Sequence, residues 1–381
     1  MRSEEVSRFV GTDIPVVDLF SGAGGLGIGA IQAGGRLALS IDNDRYAHAT
    51  LTSNPTVHRG LAFQEDVTTV RGEELRERVG LAKHDELVVV GGAPCQPFSK
   101  AAYWLDDGKD AAYRRARARG EEAVRPSGSG TARPDERRTL VSEYWRLVRE
   151  SRATAFVFEN VPSILHPRNR PVFEELYSEA QDAGYYLTKV VAKATDFGVA
   201  QSRQRVFLLG SRYAPPVTPT PTHSDTKTAL PNIVSAGEAI GHLDTPDMFE
   251  PEEVVKGTWA EHLAEIPPGM NYKHHTAWAG HPSPTFEAET RYWNFLLKLS
   301  PNKPSWTIPA SPGPWTGPFH WTGRRLRTVE LAVLQGFPAD YVFSGSRRER
   351  IRQIGNAVPA PMAKVMVQSV LSTLTAEAMA A

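Results

Sequence analysis

Short apolar runs, each closing on a glycine or a polar residue, punctuate the first 210 residues. They are Ile14–Leu19, Leu37–Ile41, Leu87–Val90, Ala155–Phe158 and Val206–Leu209. Runs so short and so apolar predict buried strands. Between them, Leu140–Glu150 and Val172–Ala183 repeat their apolar positions at helical spacing. Strands that alternate with helices predict an open, mostly parallel α/β sheet. After Gly210 the pattern breaks at Pro215, Pro216, Pro219, Pro221 and Pro231. The stretch to about His320 is rich in Pro, Trp, His and Thr and reads as a smaller, irregular domain. Helical order returns at Thr328–Gln335, with Thr328 as its cap, and at Pro361–Thr373.

Composition narrows the class. Apolar residues make up 41% and charged residues 23%, which is ordinary for a globular protein. No run approaches the roughly 20 apolar residues of a membrane helix. The N-terminal MRSEEVSRFV has no apolar core of a secretory signal, so a cytoplasmic protein is expected. Cys95 is the only cysteine, which excludes an internal disulfide and a multi-cysteine zinc site. Lys and Arg (43) balance Asp and Glu (43), so any polyanion site has to be a local patch.

Directly after the first run, Gly22, Gly24 and Gly27 form G-x-G-x-x-G, and Asp42 closes the second run about 20 residues on. Glycines let a backbone approach a ligand closely, and a carboxylate there accepts from ribose hydroxyls. The pattern predicts an adenosine-bearing ligand without fixing the reaction. Asp66, in QEDV, is a candidate for the adenine amino group or an ordinary cap.

Cys95 stands between Pro94 and Pro97, a few residues past Leu87–Val90. Ligands of open α/β sheets bind at that edge. A stiff loop there predicts a nucleophile rather than a buried filler. Glu159 closes Ala155–Phe158 at the same edge and predicts a cleft carboxylate. Arg203 and Arg205 precede Val206–Leu209 and share one face of an extended chain. They reach this edge only if that strand runs against its neighbours, so one antiparallel strand is predicted.

These motifs together resemble the DNA (cytosine-5)-methyltransferases of bacterial type. DLFSGAGG (Asp18–Gly25), GGAPCQPFS (Gly91–Ser99), ENV (Glu159–Val161), QSRQRVF (Gln201–Phe207), LQGFP (Leu334–Pro338) and QIGNAVP (Gln353–Pro359) stand in that family's order. The resemblance implies a Rossmann-like catalytic domain over 1–212 that binds S-adenosylmethionine (AdoMet). It implies a target recognition domain over 213–323 and a C-terminal segment, 324–381, that completes the catalytic domain. By position it places Phe20 on adenine, Gly22 and Gly24 under the methionine part, Asp42 on ribose, Asp66 on the adenine amino group, and Pro94, Asn356 and Val358 around the pocket. Cys95 would add to C6 of a cytosine, Glu159 would act at N3, and Arg205 with Arg203 would bind O2. The family often carries Glu where this chain has Asp42, and the stretch Ser99–Thr139 is long and basic for its catalytic loop.

The implied partner is double-stranded DNA with a flipped-out base. Phosphate contacts are expected from Lys100, Lys109 and Arg114–Arg119, and from Arg324, Arg325, Arg327, Arg347, Arg348 and Arg350. Trp259, Trp278, Trp293, Trp306, Trp315 and Trp321 are expected in the small domain's core. His274-His275 has no neighbouring partner set in the sequence, so no metal is expected. A monomer is expected, and a companion restriction endonuclease is left open. The glycine fingerprint alone also fits a nicotinamide-dependent oxidoreductase, which leaves Cys95, Glu159 and the arginines without roles. An RNA (tRNA) cytosine-5-methyltransferase would share the chemistry, although the insert and basic loop favour DNA. A catalytically dead DNA-binding relative is disfavoured by intact Cys95 and Glu159.

Overall fold

The computed structural model describes residues 13–94, 96–98, 113, 116, 121–124, 136–226 and 229–378. Its centre is a seven-stranded sheet built from β1 (Pro15–Leu19), β2 (Arg36–Asp42), β3 (Leu61–Gln64), β4 (Val88–Gly91), β5 (Ala155–Asn160), β6 (Tyr186–Lys193) and β8 (Gln204–Ser211). The spatial order is β3-β2-β1-β4-β5-β8-β6. The pairs from β3 through β5 are parallel. β8 runs antiparallel to both β5 and β6, so it is the one reversed strand of this sheet. The reversal that the arginines require is present.

Successive residues of a strand face opposite sides of the sheet, and here both sides are covered. Val17, Leu19, Val89, Phe156 and Phe158 pack on one side with the helix Leu140–Glu150. Val16, Val88, Val90, Val157 and Leu209 pack on the other with Met362, Met366 and Val370 of the long C-terminal helix Ala360–Ala378. Burial on both sides explains why these strands read as unbroken apolar runs. β6 went unread because it is an edge strand that buries only Val190 and Ala192, so it forms no continuous apolar run.

The end of the chain is built into the glycine loop. A Cβ at Gly25 would run into the Val358 carbonyl, and one at Gly29 would meet Ala363 and lie 2.7 Å from Lys364 N. Helix α1 (Gly25–Gln32) therefore needs bare backbone where the last segment crosses it.

Segment 213–323 holds short helices, single turns and one two-residue strand, β9 (Ser305–Trp306), which pairs with β7 (Gln201–Ser202). It has a small core of its own in Leu263, Ile266, Tyr272, Phe286, Leu296 and Phe319. Ala236, Ile240, Leu299 and Ile308 join a second cluster with Leu331, Leu334 and Ile354. A buried charge network seals the junction. Glu330, fully buried, accepts from Arg324 at 2.6 and 2.8 Å, and Arg324 also reaches Asp244 Oδ1 at 2.8 Å. Arg327 pairs with Glu253 and donates to the Leu243 carbonyl at 2.7 Å.

Several expectations change here. Arg324 and Arg327 are held by Glu330, Asp244 and Glu253, and Arg347 lies 3.4 Å from Glu250, so these three serve the junction rather than a phosphate. The helix Thr328–Leu334 is capped at Arg327, whose N–H donates to Glu330; Thr328 is its first helical residue. Trp278, Trp293 and Trp306 are exposed, at 76, 53 and 43%, whereas Trp259, Trp315 and Trp321 are half-buried. No helix among the described residues is long and apolar enough to cross a membrane.

Candidate active site

At the carboxyl edge of β1, β2, β4 and β5 the loops enclose a cavity of about 260 Å³. It is lined by Phe20, Gly22, Asp42, Asp66, Pro94, Glu159, Arg205, Asn356 and Val358, all singled out from the sequence. More than three hundred residues of chain separate the first from the last, and the crossing of the C-terminal segment over α1 brings them together.

The floor is the turn after β1. Phe20 and Gly22 both adopt left-handed backbone, with φ of 54 and 52°. For a phenylalanine that geometry is uncommon and costs energy, which marks a turn fixed by its surroundings. Gly22 faces open space and donates its N–H to Asp42 Oδ2 at 2.8 Å. Asp42 Oδ1 accepts from Asp44 N, also at 2.8 Å. Burial raises the Asp42 carboxyl above its usual range, against the pull of these two amides. Each oxygen keeps a lone pair for a ligand hydroxyl.

Gly24 behaves differently from expectation. It caps α1 with φ of 83°, and a Cβ there would meet His58 and lie 2.8 Å from Leu51. It serves packing, and Gly25 lines the cavity in its place. Asp66 is exposed and caps the turn Val67–Thr69, accepting from Thr68 N at 2.9 Å. It also lines the cavity, so both roles weighed for it are compatible.

At the opposite wall, Glu159 ends β5 and is almost fully buried. Its Oε1 lies 2.8 Å from Arg205 Nε, carried by the reversed β8. Loss of solvent raises the Glu159 carboxyl above the ordinary range, while Arg205 and then Arg203 pull it back. Arg203 is 1% exposed and does not line the cavity; its charge lowers the Glu159 carboxyl from behind. A Cβ on Gly92 would lie 2.8 Å from Glu159 Oε2, so only glycine lets this carboxylate sit under the loop that leads to Cys95.

Cys95 itself lies outside the described residues, as do Lys100, Lys109, Arg114, Arg115, Arg117 and Arg119. The chain on both sides of Cys95 is tied to the end of β5. Ala93 O accepts from Asn160 Nδ2 at 3.1 Å, and Phe98 O accepts from Ser163 Oγ.

Sequence reasoning passed over three contributors. Asp18 is fully buried in β1 and accepts from Gly27 N at 3.0 Å, bracing the glycine turn; burial raises its carboxyl far above normal. Asp44 and Arg352 pair at 2.6 Å on the cavity rim. The signal for Asp44 was its place two residues past Asp42, and for Arg352 its place just before the QIGNAVP motif.

The sequence profile of C-5 cytosine-specific DNA methylases matches residues 14–114 and 126–372. The chain belongs to that family. It is a DNA (cytosine-5) methyltransferase with relatives along nearly all of its length. It is 37% identical to the type II methyltransferase M.SacI of Streptomyces achromogenes, across 95% of this chain and 94% of that one. Against M1.HphI of Haemophilus parahaemolyticus the identity is 29%, over 95 and 87%. Among solved structures, the Entamoeba histolytica methyltransferase EhMeth superposes with a TM-score of 0.55 at 13% identity, covering 95% of this chain and 99% of that one. The Schizosaccharomyces pombe Dnmt2 methyltransferase gives 0.52 at 15%, over 96 and 99%. At such identities the structural likeness speaks for the fold of the methyltransferase only.

Proposed function

We propose that this methyltransferase moves a methyl group from AdoMet to C5 of a cytosine flipped out of a specific double-stranded DNA sequence, through a bond between Cys95 and C6. The charge of the cavity carries the choice of donor. Among the described residues, Asp42, Asp44, Glu65, Asp66 and Glu159 line it against Arg205 and Arg352. With Glu159 protonated, as its role below requires, four carboxylates still outnumber two guanidiniums, which disfavours a pyrophosphate and favours a ligand with cationic groups. That argues against a nicotinamide cofactor. Phe20 offers a ring face to adenine, and Asp42 offers acceptors to ribose hydroxyls. Asp66 offers an acceptor to an amino group, and Gly22, Pro94, Asn356 and Val358 complete the walls. When bound, AdoMet supplies an electrophilic methyl on a sulfonium centre.

The chain's residues perform the rest. C5 of cytosine is too electron-poor to take a methyl unaided. The Cys95 thiolate bonds to C6, and the C5–C6 π electrons move onto C5 as Glu159 gives its proton to N3. C5 then forms its bond to the methyl carbon as the donor's sulfur–methyl bond breaks, leaving a neutral thioether. Water takes the C5 proton as the thiolate leaves C6, which restores the double bond, and N3 returns its proton to Glu159. Arg205 holds O2 and keeps Glu159 in place. Burial of Glu159 supports its proton-donor role, because an ordinary carboxylate would carry no proton at neutral pH.

The decisive assay is transfer of labelled methyl to duplex DNA, with transfer RNA and NADH oxidation in parallel. Incorporation into DNA alone is expected; label in RNA alone, or nicotinamide turnover, would refute this reading.

Residues 1–212 and 324–381 would form the catalytic domain and 213–323 the part that chooses the sequence. Exposed Trp293 and Trp306 support this. Their rings stand edge-on with centroids 4.9 Å apart, and Trp306 pairs through β9 with Ser202, one residue before Arg203. Exposed aromatics beside the site suit stacking on bases. Arg325 and Arg348, on the wall of a second concavity, remain for phosphates. Exchanging residues 213–323 with those of a relative should move the methylated site, read by bisulfite sequencing, and an unchanged site would overturn the assignment. The enzyme would act as a cytoplasmic monomer, alongside a cognate endonuclease where one is encoded.

A further inference from the structure

The histidine pair in the insert has partners that the fold, not the sequence, supplies. Glu265 ends the helix Ala260–Glu265, His275 ends the turn Tyr272–His275, and His281 follows the turn Ala277–Ala279. One ligand atom from each lies within 4.8 Å of the others. The expectation that His274-His275 lacks a partner set therefore fails for His275.

Hydrogen bonds decide which nitrogens are available. His275 is 1% exposed, and its Nε2 lies 2.8 Å from the His262 carbonyl. A carbonyl only accepts, so the hydrogen sits on Nε2 and Nδ1 carries the lone pair. That Nδ1 lies 3.7 Å from Glu265 Oε2. His281 Nδ1 lies 2.8 Å from Ser283 O, which likewise puts its hydrogen on Nδ1 and its lone pair on Nε2. The competing approach of Ser283 N to the same atom is longer, at 3.2 Å. A neutral lone pair thus faces a carboxylate oxygen, an arrangement that a cation relieves.

We propose that Glu265, His275 and His281 form a zinc(II) site that staples the recognition insert, apart from the catalytic cavity. Two imidazole nitrogens and one carboxylate oxygen are a zinc donor set, with water as fourth ligand. Carbonyls behind both histidines are the usual outer partners that fix a ligand's tautomer. Tetrahedral zinc places donors about 3.3 Å apart, so the set must contract slightly. Glu265 is free to do so, being 64% exposed. The need is physical. The three ligands come from separate turns around a core as small as Leu263, Ile266, Tyr272 and Phe286. With Cys95 as the only cysteine, no disulfide can brace them.

The test uses the full-length enzyme, stripped with a chelator and titrated with zinc against a chromophoric competitor. One equivalent is expected to bind, with a rise in the thermal midpoint. Glu265→Gln and His281→Ala should each weaken binding at least tenfold and abolish the rise, while His274→Ala leaves both intact. Absence of stoichiometric binding, or unchanged affinity in Glu265→Gln and His281→Ala, would overturn the proposal. Methyl transfer by the stripped enzyme is read separately, so failure here leaves the catalytic reading untouched.

Discussion

Cys95→Ser should lower methyl transfer about 10⁴-fold or more, equivalent to ~5 kcal/mol of barrier. A serine hydroxyl ionises far less readily than a thiol of pKa about 8.5, so addition to C6 loses its driving nucleophile. Nothing else in the chain can substitute, because Cys95 is its only thiol. Binding of AdoMet should persist in the variant, since the described wall of the cavity is formed by other residues. Equilibrium binding and single-turnover transfer measure the two separately. DNA carrying 5-fluorocytosine should trap the wild-type enzyme as a covalent adduct, because fluorine cannot leave as a proton does. Peptide mapping should place the adduct on Cys95. Substantial activity in Cys95→Ser, or an adduct on another residue, would remove the basis of the mechanism.

Glu159→Gln should cost about 10²–10⁴ in single-turnover rate. The amide oxygen can still accept from Arg205 Nε, so the fold is retained, but no proton can be delivered to N3. The pH profile separates this role from a structural one. Burial raises the Glu159 carboxyl above its usual range. Its protonated fraction, and with it the rate, falls as pH rises through that raised value. The alkaline fall should be present in the wild type and absent from Glu159→Gln. The same shift has a stability consequence of fixed sign. The folded state holds this proton more tightly than the unfolded chain, so its contribution is full at low pH and fades as pH climbs. A variant with wild-type rate, or one whose alkaline limb is unchanged, would exclude Glu159 as the donor.

Local pattern was enough for the elements that local pattern governs. The doubly covered strands are short apolar runs, and Leu140–Glu150 agrees end for end. The direction of β8 was legible through chemistry, because Arg205 can meet Glu159 only across an antiparallel pair. What stayed hidden depends on distant partners. Arg324 and Arg327 look like free cations until Asp244, Glu253 and Glu330 come round to meet them. Gly24 looks like its neighbours in the motif until His58 is seen behind it. The exposed tryptophans follow the same rule, since the core of the insert is too small to cover them.

One wall of the cavity is made by Asn356, Ala357 and Val358, and the opposite floor by residues near position 20. Translation delivers these two parts at opposite ends of its course. Any product that stops before residue 356 lacks a side of the pocket, however well its earlier portion folds. On the proposed reading, competence to methylate DNA therefore waits until the chain has been made past Val358, and fragments that stop earlier should be inactive.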